Sequence, residues 1–184
     1  MSGFVTTRQG VTGGVFVTDL SFERLGSAFL DLFLANKLSI PELHHIRMLI
    51  EPEVARLAAL NISPEGAERL QRALQAENLP YTTLEDDIER RTKVHYILAE
   101  ICGNRFLEAI LKSVLGLNTE IVNEVKPEPF EVHPLETHNA IVAAVLSGDE
   151  NAAKEAMTRH TLEFGKNLLK MEESYRRNTG QTGK

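Results

Sequence analysis

The sequence predicts an all-α fold, an antiparallel bundle of about six to seven helices preceded by a short β-hairpin. Three observations point to this class. From Ser21 onward, apolar residues recur three or four positions apart, a spacing that places them on one face of a helix. The Ser63-Pro64 pair, typical of a helix start, and glycines or prolines typical of helix ends divide that pattern into segments. Aromatic residues make up only 6% of the chain, so the core must consist mainly of aliphatic side chains.

The first residues differ from the rest of the chain. Two short β-prone runs, Phe4-Val5 and residues 15–17, flank a glycine-rich stretch at residues 10–14. This pattern predicts a β-hairpin. A flexible N-terminal arm is the alternative, because an isolated two-stranded hairpin is marginally stable.

The helices follow from local start and stop signals. Pro64 after Ser63 is a strong helix start, whereas Pro52 lies inside an apolar stripe and should kink or split its helix. Asp149 caps the last helix after a stop at Gly148. The predicted helices begin near Ser21 and Ile40 and then cover residues 64–78, 84–102, 105–125, 134–148 and 149 to beyond 169. The polar end of the chain is predicted to fray.

Composition narrows the class of protein. The 184 residues suit one domain, and 20 Lys and Arg against 26 Asp and Glu give a net charge of −6. This charge argues against a stand-alone nucleic-acid binder, which needs a basic surface. No apolar run is long enough to span a membrane, and no signal peptide is evident. We therefore expect no membrane partner. The single cysteine, Cys102, cannot form an internal disulfide, so the fold does not need an oxidising compartment and we expect a cytoplasmic protein.

Three histidines occupy informative positions. His138 lies ten residues before Gly148, and His160 lies eleven residues after Asp149. If residues 148–149 form the turn of a helical hairpin, both imidazoles lie at the same level of the bundle. His95 lies eight residues before a predicted break at residue 103. Three neutral imidazoles that meet inside a bundle would suit a divalent transition metal, although hydrogen-bonded core histidines are the alternative.

Four segments of the chain form a recognisable pattern: residues 47–59, the segment from His95 to Asn104, residues 138–141, and the stretch from Ser147 to His160. In this order they resemble the FadR-type C-terminal (FCD) domain of GntR-family transcription regulators. The N-terminal hairpin resembles the end of the wing in that family's winged-helix DNA-binding domain. The resemblance divides the chain into a wing remnant at residues 1–18, a helical ligand-binding domain at 19–172 and a flexible tail at 173–184.

The resemblance also implies a site. In the family, one Asp and three His commonly hold a metal beside a small carboxylate effector, and the three His correspond to His95, His138 and His160. The Asp position, four residues before His95, is Arg91, which cannot ligate a cation. Either three histidines hold Zn²⁺ or Ni²⁺, with water or effector oxygens completing the site, or Arg91 and Arg47 bind an anionic effector directly. The metal site is the favoured alternative, because all three imidazoles of the family's ligand set are retained in this sequence.

The expected function is effector sensing by a GntR-type regulator, with no enzymatic activity. We expect a homodimer that would bind DNA only through a winged-helix domain absent from this sequence. Two alternatives stay open. The three histidines could activate water in a metal-dependent hydrolase or lyase, with Glu100 or Glu136 nearby, or the chain could be a protein-interaction module that has lost sensing.

Overall fold

A computed structural model of the chain confirms the all-α class. It describes residues 5–8, 10, 13–17, 28–29, 31–33, 35, 37–80, 83–125 and 136–179. Six helices follow one hairpin in this part of the chain, and residues 28–29 and 31–33 are also helical. Within the same residues, no helix combines the length and the apolar character that crossing a bilayer requires.

The predicted N-terminal hairpin is present. Strand β1 (Val5–Arg8) pairs antiparallel with β2 (Gly14–Val17), with Val5 opposite Val17 and Arg8 opposite Gly14. The turn between the strands is closed by a hydrogen bond of 2.7 Å from the Gly13 amide to the Gly10 carbonyl. Gly10 has a φ of 122°, which a side chain would disfavour, and this explains a glycine at that position.

Helix α1 (Ile40–Leu60) begins at a complete capping box. The Ser39 side chain accepts a hydrogen bond from the Glu42 amide, and the Glu42 carboxylate accepts one from the Ser39 amide. The prediction of a split at Pro52 is wrong, because the helix continues through this residue to Leu60. Proline there removes only the backbone donor toward the Met48 carbonyl, and the packing of α1 against its neighbours compensates for that loss.

The remaining helices agree closely with the sequence-based bounds. They are α2 (Pro64–Glu77), α3 (Leu84–Ile101), α4 (Arg105–Val125), α5 (Asn139–Leu146) and α6 (Glu150–Thr179). The start of α5 differs, since the prediction placed it near Pro134, which lies outside the described residues, and the helix begins at Asn139. Helix α6 extends to Thr179, into the stretch predicted as a flexible tail. The predicted start at Ser21 lies outside the described residues.

Helix α1 is the centre of the bundle. It packs along much of α6 and also contacts α3, α4 and α5. Its C-terminal half contributes Val54, Ala55, Ala58 and Ala59 to an apolar core shared with α2, α3, α4, α5 and the first turns of α6. Its N-terminal end joins a second, smaller apolar cluster on α4 and α6. Between these clusters α1 buries two charged side chains, Arg47 and Glu51, and these lead to the candidate site.

Candidate metal centre

Three histidines meet in the interior of the bundle. His95 comes from α3 and His160 from α6, while His138 immediately precedes α5. All three are buried, and one nitrogen of each lies within 4.8 Å of the others. The ring centroids are 4.8 Å apart for His95 and His138, 5.0 Å for His95 and His160, and 4.5 Å for His138 and His160. The structure therefore brings together the three side chains that the sequence singles out.

The α5–α6 hairpin places two of these imidazoles side by side. Gly148 sits at the turn with a φ of 71°, a conformation that glycine adopts without strain. The sequence interpretation put His138 within the helix, whereas it is the N-cap residue and its backbone lies outside the regular turns. The two imidazoles nevertheless lie side by side as predicted, because the turn between the two helices is at residues 148–149.

Two buried carboxylates contact the outer nitrogens of the cluster. His138 Nδ1 and Glu77 Oε2 form a hydrogen bond of 2.6 Å, and His95 Nδ1 lies 2.6 Å from Glu51 Oε2. A carboxylate beside Nδ1 holds the ring proton on that nitrogen and directs the lone pair of Nε2 to the opposite side. Both Nε2 atoms therefore point toward the interior of the cluster as electron-pair donors.

The two Nε2 atoms face each other at a distance of only 2.9 Å between His95 and His138. Two lone pairs directed at each other repel unless a cation lies between them. One transition-metal ion contacts two imidazoles at about 2.0–2.1 Å each, so a nitrogen separation of 2.9 Å is within its reach. This donor set fits a bound metal ion.

Burial favours the neutral form of two of these imidazoles, His138 and His160. It lowers the pKa of His160, and the nearby His138 and His95 rings lower that pKa further. Burial also lowers the pKa of His138, against the opposing effect of its hydrogen bond to Glu77. Burial alone would raise the pKa of Glu51, but the charges and hydrogen bonds of Arg47 and His95 lower it below its usual range. At His138 and His160 burial thus favours the neutral imidazole, the form that binds a metal.

The buried charges of the described residues all lie around this cluster. Arg47 forms an ion pair with Glu51, and Arg91 forms one with Asp87 at 2.6 Å. Glu77, through His138, completes a set of three acids against two guanidinium groups. The set therefore has one excess negative charge, which a low-dielectric interior tolerates poorly without a cation.

A cavity of about 40 Å³ adjoins His95. Both arginines predicted to bind an anion line it, and their charges are held in place. The Arg91 Nε donates to Asp87, and the Arg47 guanidinium carbon lies 4.2 Å above the centre of the Phe164 ring. The full lining comprises Arg47, Leu84, Asp87, Ile88, Arg91, Thr92, His95, Leu115, Asn118, Val122 and Phe164.

The sequence analysis did not identify Glu51 and Glu77 as partners of the histidines. A signal was available, because both acids occupy core-facing positions of apolar helix stripes. Glu51 lies four residues before Ala55, and Glu77 lies four residues after Ala73. An acid at such a position is rarely buried without a partner.

Other residues considered in the sequence lie away from the cluster or outside the described part. Glu100, a candidate general base, forms surface ion pairs with Arg69 and Lys112. Glu136, the other candidate, is exposed. Cys102 is buried as a small apolar residue, as expected.

Comparison with known proteins gives a consistent result. The family model described as the FCD domain matches residues 42–163 of this chain. The HTH-type transcriptional regulator LutR of Bacillus subtilis is 27% identical over 168 residues, which cover 86% of this chain and 74% of that protein. The Uxu operon transcriptional regulator of Escherichia coli is 25% identical over 181 residues, which cover 92% of this chain and 68% of that protein.

A solved structure shows a similar fold. The structure titled Streptococcus agalactiae GntR superposes with a TM-score of 0.60 and 21% sequence identity. The match covers 89% of this chain and 75% of that one. At this level of identity the likeness establishes the helical architecture.

Proposed function

Because this chain belongs to the FCD domain family of GntR-type transcription regulators, we propose that it senses a small organic acid beside a bound metal. His95, His138 and His160 hold the ion in this proposal, and Arg47 and Arg91 attract the acid. Binding of the acid then changes the packing of the bundle in a way that controls DNA binding.

One observation carries the metal part of the proposal, the 2.9 Å approach of the Nε2 atoms of His95 and His138. The carboxylates of Glu51 and Glu77 lie against the other nitrogens of these two rings. Imidazole nitrogen suits Zn²⁺ and Ni²⁺, the ions we propose. The bound ion would offer open coordination positions to the oxygens of the effector.

Charge supports the acid part of the proposal. A divalent ion would convert the one excess negative charge of the buried set into one excess positive charge. A monocarboxylate would then neutralise the site. Arg91 and Arg47 line the cavity beside His95, and a guanidinium group matches the planar carboxylate. Arg91 thus contributes a positive charge where the resemblance places a metal-binding Asp in the family.

The link to transcription rests on the regulators that this chain resembles. We propose that residues 1–18 are the end of a winged-helix wing and that residues 19–172 form the sensor. The sensor acts in a homodimer, and DNA is bound only through winged-helix domains. An effector would shift the balance between two arrangements of these domains by binding one of them more tightly.

Thermal-shift measurements with the purified chain test the sensing proposal. A panel of small carboxylates is compared with and without added Zn²⁺ or Ni²⁺, and the acids are assayed afterwards for chemical change. We expect a subset of acids to raise the melting temperature in the presence of metal and to be recovered intact. Turnover of an acid would instead support a hydrolase or lyase, and the absence of any stabilising acid would contradict the sensing proposal.

A further inference from the structure

We propose that His44 of α1 and Gly165 of α6 form a proton-sensitive contact between the two helices that pack most extensively against each other. The contact is closed while the imidazole is neutral, and protonation of the ring releases it. This histidine lies outside the metal cluster, and the contact requires neither an effector nor a bound ion. The basis of the proposal is the way in which the ring is seated against α6.

The His44 ring fills a notch in α6. Gly165 is buried at the middle of this helix, and a Cβ atom at that position would overlap the imidazole of His44. A glycine inside a helix lowers the stability of the helix relative to alanine, so a glycine here needs a reason in the packing. The reason is the His44 ring, which occupies the space that a side chain of α6 would take.

The seat offers no hydrogen bond to one nitrogen of the ring. His44 Nδ1 is buried, and among the residues that the structure describes it has no hydrogen-bond partner. A protonated imidazole carries a proton on both nitrogens, so a charged His44 would leave a buried, charged donor unpaired. An unpaired group that carries a charge costs far more free energy in the interior than a neutral one. The seat therefore suits the neutral ring.

The charges near His44 also favour its neutral form. Burial is the largest cause that lowers the pKa of His44, and the positive charge of Arg47, three residues along α1, lowers this pKa further. Glu51 opposes the effect, but this carboxylate already forms an ion pair with Arg47. His45 adds to the lowering. A proton on His44 would therefore place a second positive charge beside a buried guanidinium group.

The described residues of α6 place no acid at this contact. The ionisable residues closest in sequence to Gly165 are Glu163 and Lys166, and both are exposed. Phe164 and Leu168, on the inner side of the helix, belong to the second apolar cluster. A charged imidazole would gain hydration by leaving the notch, and nothing on the inner side of α6 would compensate for its charge.

Acidification weakens the contact, whereas neutral pH preserves it. The pKa of His44 is 6.5 in the unfolded chain and lower in the folded chain. The contact therefore contributes its full stability above about pH 6.5, and this contribution falls as the pH drops toward the pKa of the folded chain. Since α1 carries Arg47 and α6 carries His160, release of the contact loosens the two helices that frame the candidate metal centre.

Urea unfolding of the full chain, without added metal, tests the proposal by comparing the wild type with His44→Phe. Phenylalanine keeps an aromatic ring in the notch but cannot be protonated. Between about pH 7.5 and about pH 5.5, protonation of His44 should raise the unfolding equilibrium constant of the wild type by a factor of up to about ten. The rise in His44→Phe should be severalfold smaller. An equal rise in both proteins would overturn the proposal.

Gly165→Ala tests the same contact from α6. Its methyl group should displace the His44 ring toward solvent at both pH values, because the two groups cannot occupy the notch together. This variant should therefore also lose the part of the pH response that His44 supplies. A rise as large as that of the wild type would overturn the proposal. The two variants change opposite sides of the contact, so either one that folds is a sufficient test.

His45→Phe is the matched control. His45 is the next residue of α1, and its side chain is exposed, so water surrounds the ring in the folded and the unfolded chain alike. This variant should keep the pH response of the wild type. The three histidines of the cluster are present in every variant, so their contribution to the pH response cancels in the comparison. A loss in His45→Phe as large as that in His44→Phe would overturn the role of the notch.

Discussion

The two halves of α1 are both buried, yet they differ in what stabilises them. The C-terminal half presents Val54, Ala55, Ala58 and Ala59 to an apolar core, whose packing is complete within the chain. The N-terminal half presents Arg47 and Glu51 to a group of charged and imidazole side chains. Apolar packing stabilises the C-terminal half, whereas the N-terminal half has a charge set that one cation and one anion would balance. The difference separates the part that holds the fold from the part that we propose binds the ligands.

The largest effect is expected at the apolar end. Leu98 of α3 is fully buried in the core around Val54. Leu98→Ala should lower the free energy of unfolding by about 2–5 kcal/mol, because it removes apolar contacts and leaves a cavity. Chemical denaturation should give the same loss with and without Zn²⁺. A loss that disappears when metal is added would contradict the separation of the two ends.

Substitutions around the histidine cluster should lower the affinity for a metal ion. Glu77→Gln preserves the volume and one hydrogen bond to His138 but removes the charge that holds the ring proton. Loss of such a partner typically weakens metal binding about 10–100-fold, and we expect a loss of that size in a Zn²⁺ competition titration. Glu100→Gln, a change to a surface acid of the adjacent helix α3, is the control and should bind metal normally. Equal affinity of the Glu77→Gln variant and the wild type would show that this carboxylate does not support the site.

A smaller effect, on the affinity for the acid, is expected when one arginine of the cavity wall is replaced. Arg91→Ala should weaken the binding of a small carboxylate about tenfold, since hydrogen bonds to charged groups are among the stronger ones. Metal affinity should stay the same or rise, because a positive charge has been removed. Calorimetric titration of both ligands checks this expectation.

The neighbouring Arg90 provides the control for this change. It is paired with Asp86, and its guanidinium does not line the cavity beside His95. Arg90→Ala should therefore leave both affinities unchanged. Equal losses of acid affinity in the two variants would indicate a general effect of surface charge and would contradict the role of Arg91.

The smallest effect concerns the cap of α1. Ser39→Ala removes the side chain that accepts from the Glu42 amide and should lower the free energy of unfolding by about 1 kcal/mol. Ser39→Asp retains an acceptor and should stay near the wild type. Both values should be independent of metal, which thermal denaturation in the two conditions can measure. A cap effect that changes with metal would indicate that the start of α1 also belongs to the responsive end.

Local signals made most of the fold predictable from the sequence. The start of α2 follows from Ser63 and Pro64, because capping depends only on adjacent residues. The continuation of α1 through Pro52 was not predictable, since tertiary packing along the helix outweighs the local loss of one hydrogen bond. The late start of α5 at Asn139 likewise had no local signal.

The site was predictable in part for a similar reason. His138 and His160 lie at similar distances along the chain from one turn, so counting residues was enough to pair them. The partners of His95 and His138 could not be derived in this way. Which imidazole Glu51 or Glu77 reaches depends on how α1 and α2 pack against the other helices, and sequence spacing within one helix does not specify that.

The metal content of the purified chain tests the central claim most directly. The chain is prepared without a histidine tag, incubated with Zn²⁺ or Ni²⁺, freed of excess metal and measured by elemental analysis beside the His138→Ala and His160→Ala variants. We predict about one ion per wild-type chain and loss of the ion in both variants, since each removes one of three ligands. A wild-type chain that retains no metal, or variants that retain it fully, would contradict the account.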